Sequence, residues 1–304
     1  MKILYENNAY SKHLITRNSK QHIMLGFSDG TKDGGYLMAN WAIYKAKQRL
    51  TSISRDYKFD VIFFDGRGGP PARGGGKTHK FYASLGPSIE SKEVQLTIQG
   101  QTISSNFGTL DSSKYNIEQL MTSGILNKLN ETDLTISSEC YETMDNLSKI
   151  SYDAYVKFKN HPKFLSYLEH MSTLKYYSKT NVGSRPSKRN LGNRLVFTDL
   201  RAIPFVGSWS QLKQNVPGFF GVGHALKHYD NLGELSKVKK LYRESNFFKT
   251  LIENSMMSLS KSFLDLTKYM AKDKEYGEFW NIIYDEYNTT LEMLYKLTGS
   301  SDGL

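Results

Sequence analysis

Cysteine and long apolar runs are the features that this sequence of 304 residues has least of. Cys140 is its single cysteine, so an intrachain disulfide and Cys-rich zinc modules are excluded, and a reducing, cytoplasmic location is expected. No run approaches the roughly 18 apolar residues of a membrane span. The first residues, MKILYENNAYSKHL, turn polar too early for a secretory signal. We therefore expect neither a membrane-embedded nor a secreted protein.

Acidic residues are the minority of the charged side chains, with 30 Asp and Glu against 40 Lys and Arg and a formal net charge of +10. The densest basic stretch, residues 175–194, contains no acidic residue. Such an excess fits a solvated surface, a site for an anionic small molecule, or a nucleic-acid-binding face. Charge alone leaves these alternatives open. Arginines beside glycines and buried strands would favour the small-molecule site.

Hydrophobic periodicity predicts an α/β fold that is predominantly helical. Short apolar runs predict four strands, at residues 22–27, 59–64, 94–103 and 200–206. Helices are predicted after the first strand, across most of residues 106–195, and beyond Pro217 over residues 247–270 and 276–297. Strands separated by helices indicate βα units in a mostly parallel sheet or barrel, with ligand sites at the C-terminal ends of the strands.

The glycine-rich segment at residues 66–76 is the most informative motif. It ends in Gly-Lys-Thr, but Pro71 stands where a P-loop and a dinucleotide fingerprint both need glycine. Its glycines allow close backbone approach, and Arg67 and Arg73 can present planar forks to phosphate or carboxylate. The alternative is a flexible RGG-type RNA-binding tract. A short segment directly after an apolar strand is not typical of such tracts.

Polar motifs also follow the first and last predicted strands, at residues 28–35 (SDGTKDGG) and 207–208. In the first motif, the Asp29 carboxylate could bind a hard divalent cation, with Lys32 one helical turn away to meet an anion. The alternative is ordinary helix N-capping by Ser28 or Asp29. A single carboxylate is a poor magnesium site, so metal binding would require a second acidic ligand from elsewhere.

Two further arginines are candidates for anion binding: Arg185 in GSRPSKR, and Arg201 inside the last predicted strand. An arginine in a buried strand needs an anionic partner, and a protein carboxylate and a ligand phosphate both remain open. His79, His224 and His228 lie near these segments. They fall in no metal or triad spacing, so structural roles are expected for them.

Five motifs in a fixed order make the sequence recognisable. They are IMLGFSDGTKDGG at residues 23–35, FFDGRGGPPARGGGKTH at 63–79, LTIQGQTISSNFG at 96–108, NVGSRPSKR at 181–189 and LRAIPFVGSWSQ at 200–211. In order and spacing they resemble phosphoenolpyruvate carboxylase over residues 21–223, and weaker helical similarity continues to the end of the chain.

The resemblance implies a partial (β/α)8 TIM-like barrel over residues 1–230, with a helical extension of the same domain over 231–304. It implies a lyase, dependent on Mg²⁺ or Mn²⁺, that joins phosphoenolpyruvate to bicarbonate and releases oxaloacetate and phosphate through carboxyphosphate and an enolate. Such carbon dioxide fixation replenishes the tricarboxylic acid cycle. The chemistry needs a metal, arginines around the transferring phosphoryl group, and exclusion of water.

The resemblance also implies roles for individual residues. Asp29 resembles the metal-binding aspartate of the family, and Lys32 resembles a nearby catalytic lysine. Arg67 and Arg201 resemble arginines that contact the phosphate and act in catalysis. The remaining implied residues are Arg185, Gly68 and Gly69 for substrate or phosphate binding, and Arg73 as a loop arginine that also binds dicarboxylate inhibitors.

The chain departs from the family pattern in two ways. Asp65 stands where the common family loop has histidine, which replaces a potential cation beside the substrate with an expected anion. Family members are also much longer, so we expect a portion that holds half of the active site, is inactive alone, and needs the missing half or a homo-oligomer. The alternatives are a non-catalytic, anion-binding remnant and, less favoured, a basic nucleic-acid-binding protein. We expect no nucleic-acid or membrane partner.

Overall fold

The computed structural model describes residues 1–98, 100–129, 136–177 and 195–299. Over these ranges the chain is α/β and mostly helical, which confirms the predicted class. The described strands form one sheet and are β1 (Lys20–Leu25), β2 (Asp60–Gly68) and β3 (Val94–Ile98).

Helices make up most of the described chain. Those up to residue 129 are α1 (Lys2–Glu6), α2 (Asn8–Thr16), α3 (Phe27–Gly34), α4 (Tyr36–Asp56), α5 (Thr78–Ala83), α6 (Gln101–Phe107) and α7 (Leu110–Leu129). Those from residue 136 onward are α8 (Ser138–Lys159), α9 (Phe164–Met171), α10 (Leu174–Tyr177), α11 (Ala202–Gln211), α12 (Val222–Asn231), α13 (Leu235–Glu244), α14 (Asn246–Ser260) and α15 (Gly277–Thr298). Short 3-10 helices lie at Pro71–Arg73, Phe197–Asp199, Val216–Gly218 and Leu264–Lys272. None of the described helices is both long and apolar enough to cross a membrane.

The sheet is parallel, with its strands in the order β1-β2-β3. Ile23 pairs with Phe63, and Phe63 pairs in turn with Val94. β2 can occupy the centre because its apolar residues 61–63 are each 2% exposed. Its pairing with β3 shifts register between Asp65 and Gly68. This irregularity starts the glycine-rich segment at the C-terminal end of β2.

Helices α3 and α4 connect β1 to β2, and α4 buries the face that its sequence pattern predicts. Leu37, Trp41 and Tyr44 on this face are at most 3% exposed. The rings of Trp41 and Tyr44 stack with their centroids 5.2 Å apart. The Trp41 indole N–H donates to Asp145 of α8 at 2.6 Å. Helix α4 therefore ties the sheet to the helical part of the molecule.

The helical part shares one hydrophobic core with the sheet. At its centre, the ring centroid of Phe158 from α8 lies 4.0 Å from that of Phe220 and 5.1 Å from that of Phe279 on α15. Aromatic stacking of this kind adds to the free energy gained by burying the rings. The C-terminal helices are thus packed on the same core as the βα units.

The fourth predicted strand, at residues 200–206, is wrong. These residues begin α11, with Arg201 as the N-cap residue and Ala202 as the first helical residue. A short apolar run has the same pattern in a buried strand and in a buried helix. Pro204 favours the helix, because proline fits the first helical turn but cannot donate a hydrogen bond within a central strand. Residues 207–208 accordingly lie within a helix and do not follow a strand.

Two other predicted boundaries also change. The strand predicted at residues 94–103 ends at Ile98, because Gly100 turns the chain with a φ of +55° and α6 begins at the next residue. The helix predicted at residues 247–270 is divided into α14 and the 3-10 helix Leu264–Lys272. By contrast, α15 agrees with the predicted helix at residues 276–297 to within one residue at each end.

A buried carboxyl group binds the N-terminal end of α12. Glu286 of α15 is 9% exposed and accepts hydrogen bonds from the backbone N–H groups of Gly221, at 2.8 Å, and His224, at 3.2 Å. Burial raises the pKa of Glu286 to about 7, although these hydrogen bonds oppose the shift. The folded chain therefore retains a proton on this group well above the usual range for a glutamate.

The free energy of unfolding should fall as the pH rises from 4.5 to about 7. The unfolded chain releases the Glu286 proton near its ordinary pKa of 4.5, whereas the folded chain keeps it up to about pH 7. The stabilisation of the folded chain by this proton is therefore fully present below pH 4.5 and is lost by about pH 7. The free energy of unfolding should fall by about 3 kcal/mol over that range. Glu286→Gln keeps the acceptor oxygen and should remove this slope from free energies of unfolding measured with urea across the range.

Glu278→Gln on the same helix is the matched control, because the Glu278 side chain is 79% exposed. The Glu278→Gln variant should show the same fall in the free energy of unfolding with pH as the wild-type chain. An unchanged slope in Glu286→Gln would contradict the assignment of this proton to Glu286.

Candidate functional site

The glycine-rich segment folds back onto the end of β2. The backbone N–H of Gly75 donates to the Pro70 carbonyl at 3.1 Å, and a 3-10 turn spans Pro71–Arg73. A Cβ at Gly75 would lie 1.8 Å from the carbonyl oxygen of Gly69. Glycine is required there because two stretches of backbone touch. The segment is therefore a closely packed turn, unlike the flexible RNA-binding tract that was the alternative interpretation.

Arg67 lies beneath this turn and is 2% exposed. Its Nη2 donates to the Gly75 carbonyl at 3.2 Å, and its Cζ lies 4.0 Å from the ring centroid of Phe81 on α5. Its Nε and Nη1 are buried and have no hydrogen-bond partner among the described residues. Burial lowers the pKa of Arg67, a sign that the charge is poorly solvated. These two N–H groups can bind an anion.

Asp65, two residues before Arg67, forms a buried ion pair with Lys47 of α4. Its Oδ2 lies 2.5 Å from the Lys47 Nζ, and the two side chains are 0% and 1% exposed. The Tyr82 hydroxyl donates to the same oxygen at 2.6 Å. Burial lowers the pKa of Lys47, and Asp65 opposes that shift. The anion that the sequence places in this loop is thus neutralised by a lysine of the preceding helix.

Asp29 lies in the first turn of α3, for which Gly26 is the N-cap residue. The expectation of N-capping by Ser28 or Asp29 is wrong, because the helix begins before either residue. The Ser28 hydroxyl instead donates to the Arg73 carbonyl at 3.2 Å. Burial lowers the pKa of Arg73, and the negative charge of Asp29 opposes this shift. The end of β1 and the glycine-rich turn therefore meet through Ser28, Asp29 and Arg73.

Lys32 lies about one turn further along α3 and is 3% exposed. Its Nζ is 2.5 Å from the Asp33 Oδ1 and 4.2 Å from the ring centroid of Phe197. Its backbone carbonyl accepts a hydrogen bond from the Tyr155 hydroxyl at 2.8 Å. Lys32 thus joins α3 to α8 and to the 3-10 helix Phe197–Asp199.

Arg201 is placed at the start of α11, a helix that packs against α3 and against the turn Pro71–Arg73. It is half-buried, and its Nε has no hydrogen-bond partner within the described ranges. Arg201 is buried by the packing of this helix and not, as predicted, within a strand. A buried guanidinium needs an anionic partner in either case. Arg185 lies outside the described residues.

A small cavity, about 60 Å³ in volume, adjoins the end of β2. Arg67, Gly68, Gly69 and His79 are among the residues that line it. Gly68 cannot be replaced easily, because a Cβ there would lie 1.6 Å from the Thr97 carbonyl oxygen. Burial lowers the pKa of His79, and the nearby Lys80 and Lys77 lower it further. Both candidate glycines and one histidine expected to be structural therefore surround Arg67.

Two residues of this region were missed by the sequence analysis. Lys47 follows Tyr44 by three residues on the buried face of α4, and a lysine on an apolar helix face is a signal that could have found it. Asn254 of α14 donates to the Tyr36 hydroxyl at 3.0 Å and accepts from the Lys77 backbone N–H at 3.3 Å. No sequence pattern marks Asn254, because its partners come from distant parts of the chain.

The donor set for a divalent cation is incomplete. The Asp29 residue is exposed at the end of the sheet and can supply one hard oxygen ligand. No group of three or more His, Cys, Asp or Glu side chains suited to a metal lies in the parts of the chain that the structure describes. Asp29 therefore fits one position of a metal site whose other ligands would have to come from elsewhere.

Known proteins of one family resemble the whole chain. The sequence model of the family described as phosphoenolpyruvate carboxylase matches residues 1–304. A relative of that name from Corynebacterium efficiens is 34% identical over 310 residues, covering 98% of this chain and 34% of the relative. Two relatives of the same name from Corynebacterium glutamicum are each 33% identical with the same coverage. The chain spans about a third of the length of these curated relatives.

Substitution of Gly75 should test the close packing of the turn. Gly75→Ala places its Cβ against the Gly69 carbonyl, so the turn must shift, and we expect a loss of about 1–3 kcal/mol in the free energy of unfolding. The matched control is Gly124→Ala in α7, where an added Cβ meets nothing within 4 Å. That change should be neutral or stabilising, because alanine favours helix. Equal effects of the two substitutions in urea unfolding would contradict the packed turn.

Proposed function

The chain belongs to the phosphoenolpyruvate carboxylase family, and from that premise we propose that it supplies the phosphoenolpyruvate-binding part of such an enzyme. The proposed reaction joins phosphoenolpyruvate and bicarbonate to give oxaloacetate and phosphate, by way of carboxyphosphate and the pyruvate enolate. Because the chain spans about a third of its curated relatives, the residues that act on bicarbonate are proposed to lie in another part of the complete enzyme.

One observation carries the proposal: the buried N–H groups of Arg67. Nε and Nη1 are buried with no hydrogen-bond partner among the described residues, Arg67 lines a small cavity, and an unpaired buried cation is costly. A phosphoryl group offers both the negative charge and the paired acceptor oxygens that suit a guanidinium fork. Gly68 and Gly69 line the cavity beside Arg67 and are proposed to present their backbone to the substrate.

The proposed roles of the other residues follow from their positions. Arg201 begins the helix that packs on the turn, and its buried Nε is a second donor for the phosphoryl oxygens. Arg73 shares the turn with Arg67 and is proposed to bind a carboxylate. Lys32 is proposed to act in catalysis, and Arg185 to bind substrate. In a desolvated site such fixed charges stabilise the developing phosphate more strongly than solvent does.

A divalent cation, Mg²⁺ or Mn²⁺, is part of the proposal, with Asp29 as one of its ligands. When bound, such a cation would polarise phosphoryl and enolate oxygens. The residues of this chain would bind the substrate beside it and exclude water from the reactive enolate. The turn over Arg67 suits the second task, because its backbone already covers the guanidinium.

We also propose that the three strands are part of a (β/α)8 barrel, with residues 1–230 in the barrel and residues 231–304 as an extension of the same domain. The order β1-β2-β3 follows the chain without the reversal of a doubly wound sheet. On α7, Leu110 and Met121 are 90% and 63% exposed. Further strands and helices, from the rest of the enzyme or a second copy, would cover these surfaces.

The cytoplasm is the proposed location, and replenishment of the tricarboxylic acid cycle the proposed role. The one cysteine, Cys140, is buried and not in a disulfide, as is usual for a protein of a reducing compartment. Both substrates, phosphoenolpyruvate and bicarbonate, are small anions, which agrees with a chain of net positive charge.

Removal of the Arg67 guanidinium should strongly weaken substrate binding. Arg67→Gln replaces a charged group that makes two ligand hydrogen bonds, so we expect affinity for phosphoenolpyruvate, measured by calorimetry with Mg²⁺, to fall about 100-fold. Any oxaloacetate formation, followed by coupled oxidation of NADH with malate dehydrogenase, should disappear as well.

The control is Arg49→Gln, the same substitution at an exposed position of α4. It should leave the affinity unchanged. The proposal would be wrong if Arg67→Gln bound phosphoenolpyruvate as tightly as the Arg49→Gln control.

A further inference from the structure

The side chains beneath Arg67 form a buried cluster that the proposed reaction does not use. We call Lys47, Asp65 and Tyr82 the Lys47 cluster. Their relative exposures are 1%, 0% and 4%. A buried charge pair of this kind is costly to assemble and is often no more stabilising than apolar residues of similar size.

The cluster lies close enough to Arg67 to interact with it electrostatically. Asp65 and Arg67 are two residues apart in β2, and both are buried. Tyr82 follows Phe81 in α5: Tyr82 donates to Asp65 at 2.6 Å, while the Phe81 ring centroid lies 4.0 Å from the Arg67 Cζ. Lys47 approaches from α4, with its Nζ 5.8 Å from the same Phe81 ring centroid.

The hydrogen bonds of Asp65 show that it pairs with Lys47 and not with Arg67. The Asp65 carboxylate interacts electrostatically with two cations, Lys47 and Arg67. Its Oδ2 accepts from Lys47 at 2.5 Å and from the Tyr82 hydroxyl, whereas its buried Oδ1 accepts no hydrogen bond from the described residues, Arg67 included. Arg67 contacts Asp65 only through the electrostatic field, and its Nε and Nη1 have no hydrogen-bond partner among the described residues. The pairing of Lys47 with Asp65 leaves one positive charge in excess, and that charge is on Arg67.

We propose that Lys47 and Tyr82 are positioning residues that sequester the Asp65 carboxylate, so that Arg67 keeps its donors for the phosphoryl group of the substrate. Without Lys47, the nearest cation for Asp65 is Arg67, and a carboxylate would compete with phosphate for the same fork. The inference rests on the proposed function, because it takes a phosphoryl group as the ligand of Arg67. It also accounts for an aspartate in a loop that binds an anion.

The direction in which each substitution changes the affinity for phosphoenolpyruvate distinguishes sequestration of Asp65 from a merely structural role. Lys47→Met frees Asp65 to pair with Arg67, so affinity for phosphoenolpyruvate should fall about tenfold or more. Asp65→Asn removes the competitor, so affinity should stay within about threefold of the wild type or become tighter. The double variant Lys47→Met/Asp65→Asn should return to within about threefold of the wild type.

The matched control is Lys45→Met, the same substitution two residues earlier on α4, where the lysine is partly exposed and pairs with Asp145. It should not change the affinity. Tyr82→Phe is a milder variant that keeps the ring and removes one hydrogen bond to Asp65. It should weaken binding about threefold, in the same direction as Lys47→Met, and remains informative if Lys47→Met does not fold.

A second readout needs no substrate and so separates this inference from the proposed function. Nitrogen-15 NMR of the Arg67 Nε–H group in the 304-residue chain should show a new hydrogen bond in Lys47→Met and its loss in the double variant. If the wild-type chain binds no phosphoenolpyruvate, the proposed function fails while this spectrum still tests the sequestration. Sequestration is wrong if the Lys47→Met signal is unchanged, or if Asp65→Asn loses as much affinity as Lys47→Met.

Discussion

The burial of the Arg67 guanidinium is the constraint on which the rest of the site depends. A cation that is 2% exposed and lies over the ring of Phe81 has lost most of its hydration. The protein supplies one hydrogen-bond acceptor, the Gly75 carbonyl, and Nε and Nη1 have no partner among the described residues. The obvious protein anion, Asp65, is already paired with Lys47. The affinity that we propose for a small anion follows from this unequal distribution of partners.

Backbone geometry supports the same arrangement. Gly75 lets the turn lie directly on Gly69, which covers Arg67 with peptide groups in place of water. Asn254 reaches from α14 to the backbone N–H of Lys77 and so fixes the end of the turn. Ser28 ties the start of α3 to the same turn. The first two βα units and the C-terminal helices therefore all contribute contacts to a single closely packed loop.

Local sequence pattern was sufficient to predict β2, the position of Arg67 and the buried face of α4, but not the partner of Asp65 or the helix after Arg201. The apolar run of β2 followed by glycines and Arg67 could be read from neighbouring residues, as could the buried face of α4. The partner of Asp65 could not, because Lys47 is eighteen residues away and meets it only after α4 packs on the sheet. The strand predicted around Arg201 failed for a related reason: a short apolar run does not distinguish strand from buried helix, and Pro204 was the only local sign of the helix.

A crystal structure of the chain with bound phosphoenolpyruvate tests the central claim most directly. We expect the phosphoryl group within hydrogen-bond distance of the Arg67 Nε and Nη1, with Asp65 still paired to Lys47. Phosphoenolpyruvate bound elsewhere, for example beside Lys175 on the basic stretch, with the Arg67 fork empty or turned onto Asp65, would contradict the account.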